Sequence, residues 1–197
     1  MAELLTRPEL TLPEAEARVL TQAYQAADVI LEYGSGGSTL IAAERAQGTI
    51  FAVESDARWL ADLRAWLEAH PPASRVILHH ADIGPTRAWG FPKGRKRLES
   101  FPLYALSVWE RDDFLAPDLV LVDGRFRLAC MLATAYAIER PTILLVDDYA
   151  DRPAYHRFES IAGPPAMTGR LARFDLIPRT DLPEVSGWIA ASFIDPS

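Results

Sequence analysis

Asp28-Val29-Ile30-Leu31-Glu32-Tyr33-Gly34-Ser35-Gly36-Gly37-Ser38-Thr39 is the stretch whose reading decides the fold of this chain. Its first five residues form a short apolar run ending on an acid, which predicts a buried strand. Thr39 to Gln47 reads as helix, with Gly48 placed to stop it in a left-handed conformation. Between the two, glycines let the backbone turn sharply and let a ligand come close to the main chain. The helix behind them offers free N–H groups.

The alternation extends in both directions. Pro13 suits the first turn of a helix reaching about Ala26, with Ala17, Leu20 and Tyr24 on one face. Thr49 to Val53 is a second strand, and Asp56 can cap the next helix, where Trp59, Leu60, Leu63, Trp66 and Leu67 recur at helical spacing. Pro71 and Pro72 end it. Strands follow at Arg75 to Leu78, Asp118 to Val122 and Pro141 to Val146, with an apolar helix from Phe126 to Ile138. Arg170 to Ile177 and Trp188 to Phe193 read as a closing strand pair around Pro183. Strands this apolar, alternating with helices, belong to a parallel sheet covered on both faces. The expectation is an α/β, Rossmann-like, doubly wound, mostly parallel seven-stranded sheet with an antiparallel C-terminal hairpin and helices on both faces.

With 197 residues and no repeat or low-complexity linker, the chain reads as one domain, 1–197, with an N-terminal helical segment over 1–27. From Gly84 to Pro117 there is no strand signal, but Trp89, Phe91, Phe101, Tyr104 and Trp109 lie there beside the basic run Lys93 to Arg97. A long irregular stretch in a compact domain is usually functional or disordered, and the aromatics favour a lid over 84–117. The net charge of −7 argues against nucleic-acid binding. No apolar run approaches the ~20 residues that cross a bilayer, and Met1 to Leu10 does not read as a signal peptide. Lone Cys130, expected to be buried and inert, leans towards a reducing compartment, so a cytoplasmic location is expected.

Which ligand the loop takes follows from two departures from the dinucleotide pattern. That pattern wants a small residue where Thr39 stands, and Glu32 would repel a pyrophosphate. A ligand with a cationic amino group suits Glu32 better. Glu-x-Gly-x-Gly-Gly-Ser after the first strand resembles the nucleotide-binding signature of class I S-adenosylmethionine-dependent methyltransferases, over about Asp28 to Phe193. The resemblance implies S-adenosylmethionine as cofactor. It places Glu32, Tyr33, Gly34, Ser35, Gly36 and Ser38 at the methionine part, Glu54 and Ser55 at the ribose, Asp82 at the adenine, and Asp123 within the same site.

Two acidic clusters, Asp123 and Asp147-Asp148, follow the fourth and fifth strands, where ligands bind in open sheets. Three converging carboxylates need a cation between them. The arrangement is similar to that of metal-dependent small-molecule O-methyltransferases, the sugar type more than the catechol type. It implies that Asp123, Asp147 and Asp148 hold Mg²⁺ and carry the catalysis. Other groups weigh less: His156 as a base, Arg125 and Arg127 as binders of an anionic substrate, and His79 and His80 with no catalytic role. The expected activity is methyl transfer to a small-molecule acceptor. The rival readings are a non-catalytic binding protein of the same fold and an NAD(P)-dependent oxidoreductase. An exposed edge or an apolar lid would support a homodimer.

Overall fold

The computed structural model describes residues 6–181 and 183–197. Helix α1 (Glu14–Ala26) leads into β1 (Val29–Tyr33), then α2 (Gly37–Arg45), β2 (Thr49–Glu54), α3 (Ala57–Ala69) and β3 (Arg75–His80). Next come the two-residue strands β4 (Thr86–Arg87) and β5 (Phe91–Pro92), the short helix α4 (Leu103–Leu106), β6 (Leu119–Val122) and α5 (Arg127–Ala137). The chain closes with β7 (Thr142–Val146), α6 (Glu159–Ala162), β8 (Ala166–Thr168), β9 (Leu171–Leu176) and α7 (Gly187–Ser192). Asp56 caps α3 as its side chain suggests, accepting from the backbone N–H groups of Arg58 and Trp59 at 3.0 and 3.2 Å.

Seven strands form one sheet in the order β3-β2-β1-β6-β7-β9-β8. The first five are parallel; β9 runs antiparallel to both β7 and β8. Strand order reverses between β1 and β6, and the crevice outside their carboxyl ends is where such a sheet binds ligands.

The apolar strands are explained by cover on both faces. Leu31, Tyr33, Phe51, Val53, Val120 and Val122 point to one side, with Cys130 and Met131 of α5 in the same core. Their neighbours Ile30, Ile50, Leu119 and Leu121 pack on the other side with Leu20 and Tyr24 of α1. Period-two alternation therefore changes the face but not the polarity.

Two expectations are corrected. Trp188 to Phe193 lies in and just after helix α7 rather than a strand, and β9 finds its hairpin partner in Ala166–Thr168. A short, mostly apolar run is ambiguous by periodicity, whereas burial of Ile189 and Ser192, three apart, is a helical pattern. Gly48 does not adopt a left-handed backbone; α2 ends at Arg45. A side chain on Gly48 would instead collide with the Asp28 carbonyl, 1.7 Å from the Cβ position.

The segment 84–117 divides in two. Phe101, Tyr104, Ala105 and Val108 are buried in the main core. The part around β4 and β5 is a small antiparallel ladder, and of it Trp89 and Gly90 reach the crevice.

Candidate functional site

The glycine loop is held from three sides. Gly34 has φ +98°, and its N–H donates to the Val53 carbonyl at 3.0 Å. A Cβ there would sit 2.7 Å from the Gly124 backbone, so the loops after β1 and β6 touch only because both are glycine at that point. Gly36 N–H donates to Thr39 Oγ1 at 3.0 Å, which is the local reason a β-branched residue stands where a dinucleotide site has a small one. From outside, Trp59 Nε1 donates to the Ser35 carbonyl at 2.8 Å.

This loop opens onto a cavity of about 710 Å³ at the strand switch point, within the size range of small-molecule sites. Ser35, Ser38, Glu54, Trp89, Asp123 and Arg125 are among its walls. Two buried polar atoms of lining residues, Ser35 Oγ and Arg125 Nε, have no hydrogen-bond partner among the described residues.

Glu54 ends β2 almost buried. Its Oε1 accepts from the N–H groups of Ser55 and Asp56 at 2.6 and 2.9 Å. Burial pushes its carboxyl above the ordinary range, opposed by those N–H donors. Ser55 hydroxyl donates to the Gly90 carbonyl at 3.1 Å, tying the 88–91 turn to the end of β2.

Across the cavity, the three acids predicted from the sequence do come together. Their counter-charges are arginines. Arg127, only 4% exposed, donates from Nη2 to Asp123 Oδ1 at 3.1 Å and to the Asp123 carbonyl, from Nε to the Gly124 carbonyl, and lies 3.2 Å from Asp148 Oδ2. Arg170 grips Asp147 with two donors at 2.9 and 3.0 Å, and its Nε is 3.3 Å from Asp148. Arg152 stands 3.5 Å from Asp148 on the outer side. Burial pushes the Asp123 carboxyl up, against the pull of Arg127, and the nearby Asp147 and Asp148 add to the rise.

The expected Mg²⁺ does not fit this arrangement. Among the described residues no group of three or more His, Cys, Asp or Glu side chains is arranged to hold a metal ion. The cation that three convergent carboxylates require is supplied by guanidinium groups.

Other expected residues lie elsewhere. Glu32 is fully buried beneath the loop, accepts from the Tyr24 hydroxyl, and leaves Oε2 unpartnered. Burial raises it to about 7. Tyr33 points into the core, donating to the Ala105 carbonyl at 2.7 Å. Asp82 is exposed and paired with Arg97 at 3.1 Å, away from the cavity lining. His156 stacks on Tyr149 outside the cavity, His79 bonds Ser107, and Cys130 is buried.

The sequence reading missed several walls. Pro8 to Thr11 crosses the loop so closely that a Cβ on Gly37 would meet the Glu9 carbonyl at 2.3 Å. Trp59 looked like a core residue by its spacing but is 40% exposed, and Arg170 carried no local signal because its partner Asp147 is 23 residues away.

No protein-family model and no curated protein matches the chain. Solved structures do. A methyltransferase-like protein from Silicibacter pomeroyi is 47% identical, with 96% of this chain and 99% of that one covered and a TM-score of 0.93. The O-methyltransferase TomG from Streptomyces achromogenes, solved with SAM, is 17% identical, with coverage of 86% and 82% and a TM-score of 0.60. An SAM-dependent O-methyltransferase from Thermotoga maritima is 13% identical, with coverage of 89% and 69% and a TM-score of 0.55. These last two share the fold. No helix of the described residues is long and apolar enough to cross a membrane. Sheet order, glycine loop and a relative alike over nearly its whole length agree: the chain belongs to the methyltransferase-like proteins and has the class I, Rossmann-like methyltransferase fold.

Proposed function

We propose that this chain binds S-adenosylmethionine in the 710 Å³ cavity and transfers its methyl group to a small-molecule acceptor. The observation that carries the reading is the cavity itself, walled at the strand switch point by the glycine loop after β1 and by Glu54 at the end of β2. The donor set fits the cofactor: loop N–H groups and a hydroxyl for the carboxylate end, and carboxylates for the ribose hydroxyls and the ammonium. The cofactor is cationic at sulfur and amine, and the cavity walls carry Glu54, Asp56 and Asp123.

When bound, the cofactor supplies a methyl group on a sulfonium sulfur for direct displacement by the acceptor. Glu54 holds the ribose, with the amides of Ser55 and Asp56 keeping its carboxylate oriented. The 34–38 loop receives the methionine part, and Glu32 shapes that loop from below rather than from the cavity. Asp123, whose proton affinity is raised by burial, takes the proton that the acceptor's hydroxyl releases. Arg127 and Arg170 fix Asp123 and Asp147 in place; they make a metal unnecessary for charge balance. Ser55 anchors the 88–91 turn at the cavity rim, where Trp89 at φ +63° stands 82% exposed and free to cover a bound ligand. Asp82 has no place in this scheme.

Calorimetric titration with S-adenosylhomocysteine, with NADH as control, tests the reading. Micromolar binding of the first alone is expected. Binding of NADH alone would replace the methyltransferase with an oxidoreductase, and binding of neither would leave a fold without its cofactor.

A further inference from the structure

Resting on that reading, we propose that the acceptor is an oxyanion-bearing small molecule, a carboxylate or phosphate ester, and that Arg125 recognises its anionic group.

Three arginines line the cavity, and two are already paired: Arg127 with Asp123 and Asp148, and Arg170 with Asp147 and Asp148. Arg125 is the third. Among the described residues it has no carboxylate partner, and its buried Nε has no hydrogen bond. The residue is nevertheless held in place. Its backbone N–H donates to the Tyr104 hydroxyl at 3.2 Å, and its guanidinium lies 4.3 Å above the centre of the Phe91 ring. The ring covers the face of the guanidinium, while its donors radiate in the plane, where no carboxylate of the described residues meets them.

A pinned guanidinium on the cavity wall with no carboxylate partner is what an oxyanion requires. Burial lowers the Arg125 guanidinium from its ordinary range, a penalty that a bound anion would offset.

The cofactor's own carboxylate is the other source of an oxyanion, and the experiment separates the two. Protein saturated with S-adenosylhomocysteine is titrated with benzoate, phenyl phosphate and, as neutral control, benzyl alcohol, for the wild type, Arg125→Gln and Arg125→Lys. The expected result is binding of one or both anions but not of the alcohol. Arg125→Gln should weaken it at least tenfold and Arg125→Lys less, with S-adenosylhomocysteine affinity within twofold of wild type in both. A large loss of S-adenosylhomocysteine affinity in Arg125→Gln, with methylthioadenosine affinity unchanged, would assign the guanidinium to the cofactor carboxylate and overturn the proposal. No anion binding to a protein that still takes S-adenosylhomocysteine would overturn it alone; no S-adenosylhomocysteine binding would remove the underlying reading as well.

Discussion

On the β2 wall of the cavity one carboxylate, Glu54, is met by uncharged backbone and hydroxyl donors. On the facing β6–β7 wall three carboxylates, Asp123, Asp147 and Asp148, meet three guanidinium groups. Both walls sit at the ends of apolar parallel strands, and both carry acids that the sequence marks equally. The difference is in what remains available. Neutral donors orient a carboxylate and leave its charge to a ligand, whereas guanidinium groups neutralise it and tie neighbouring strands together. The first wall is built to bind and the second to stay in place, with Asp123 at the boundary.

The largest effect should come from breaking the second wall. Arg127→Met leaves Asp123 and Asp148 without their buried partner, and removing one member of a buried ion pair typically costs about 3–5 kcal/mol. Urea denaturation would read it; a loss under about 1 kcal/mol would mean that the cluster does not hold the strands. Glu54→Gln probes the first wall. It should weaken S-adenosylhomocysteine about tenfold to a hundredfold, the size of one or two hydrogen bonds to a charged group, while leaving the urea midpoint nearly unchanged. Equal losses of stability and affinity would erase the contrast between the walls.

Glu32 lies beneath both. Its pKa is about 7 when folded against an ordinary 4.5, because burial favours the neutral acid. A raised folded-state value means that its contribution is fully present below about 4.5 and is lost as pH rises through about 7. Stability of the wild type should therefore fall from pH 5 to pH 8, and Glu32→Gln should flatten that slope. An unchanged slope would locate the titration elsewhere. The smallest expected effect is none. EDTA or Mg²⁺ should leave the melting temperature of the S-adenosylhomocysteine-loaded protein where it was, because arginines already balance the three acids. A Mg²⁺-dependent rise lost in Asp147→Asn would show that the metal displaces Arg170.

The fold was legible because its signals are local. Each parallel strand is a short apolar run, each long helix a 3.6-residue pattern, and the Asp56 cap and the glycine loop lie in consecutive residues. The errors fell where local signals are ambiguous: the short, mostly apolar run Trp188 to Phe193 suits strand or helix, and the long stretch after Gly84 hides aromatics that belong to the core. Of the residues expected at the site, Glu54 and Asp123 line the cavity because strand ends define the crevice, whereas Asp82 lies outside that lining, paired with Arg97 fifteen residues on.

By itself, then, the sequence determined the sheet, its switch point, the loop that opens there and the acids that gather around it. Tertiary structure alone decided what balances those acids. Arg127 lies four residues from Asp123 and Arg152 four from Asp148, but Arg127 reaches Asp148 and Arg170 reaches Asp147 only through the folded sheet and its closing hairpin. A carboxylate's chemistry depends on the charge beside it in space, and chain order does not encode which distant side chain that will be.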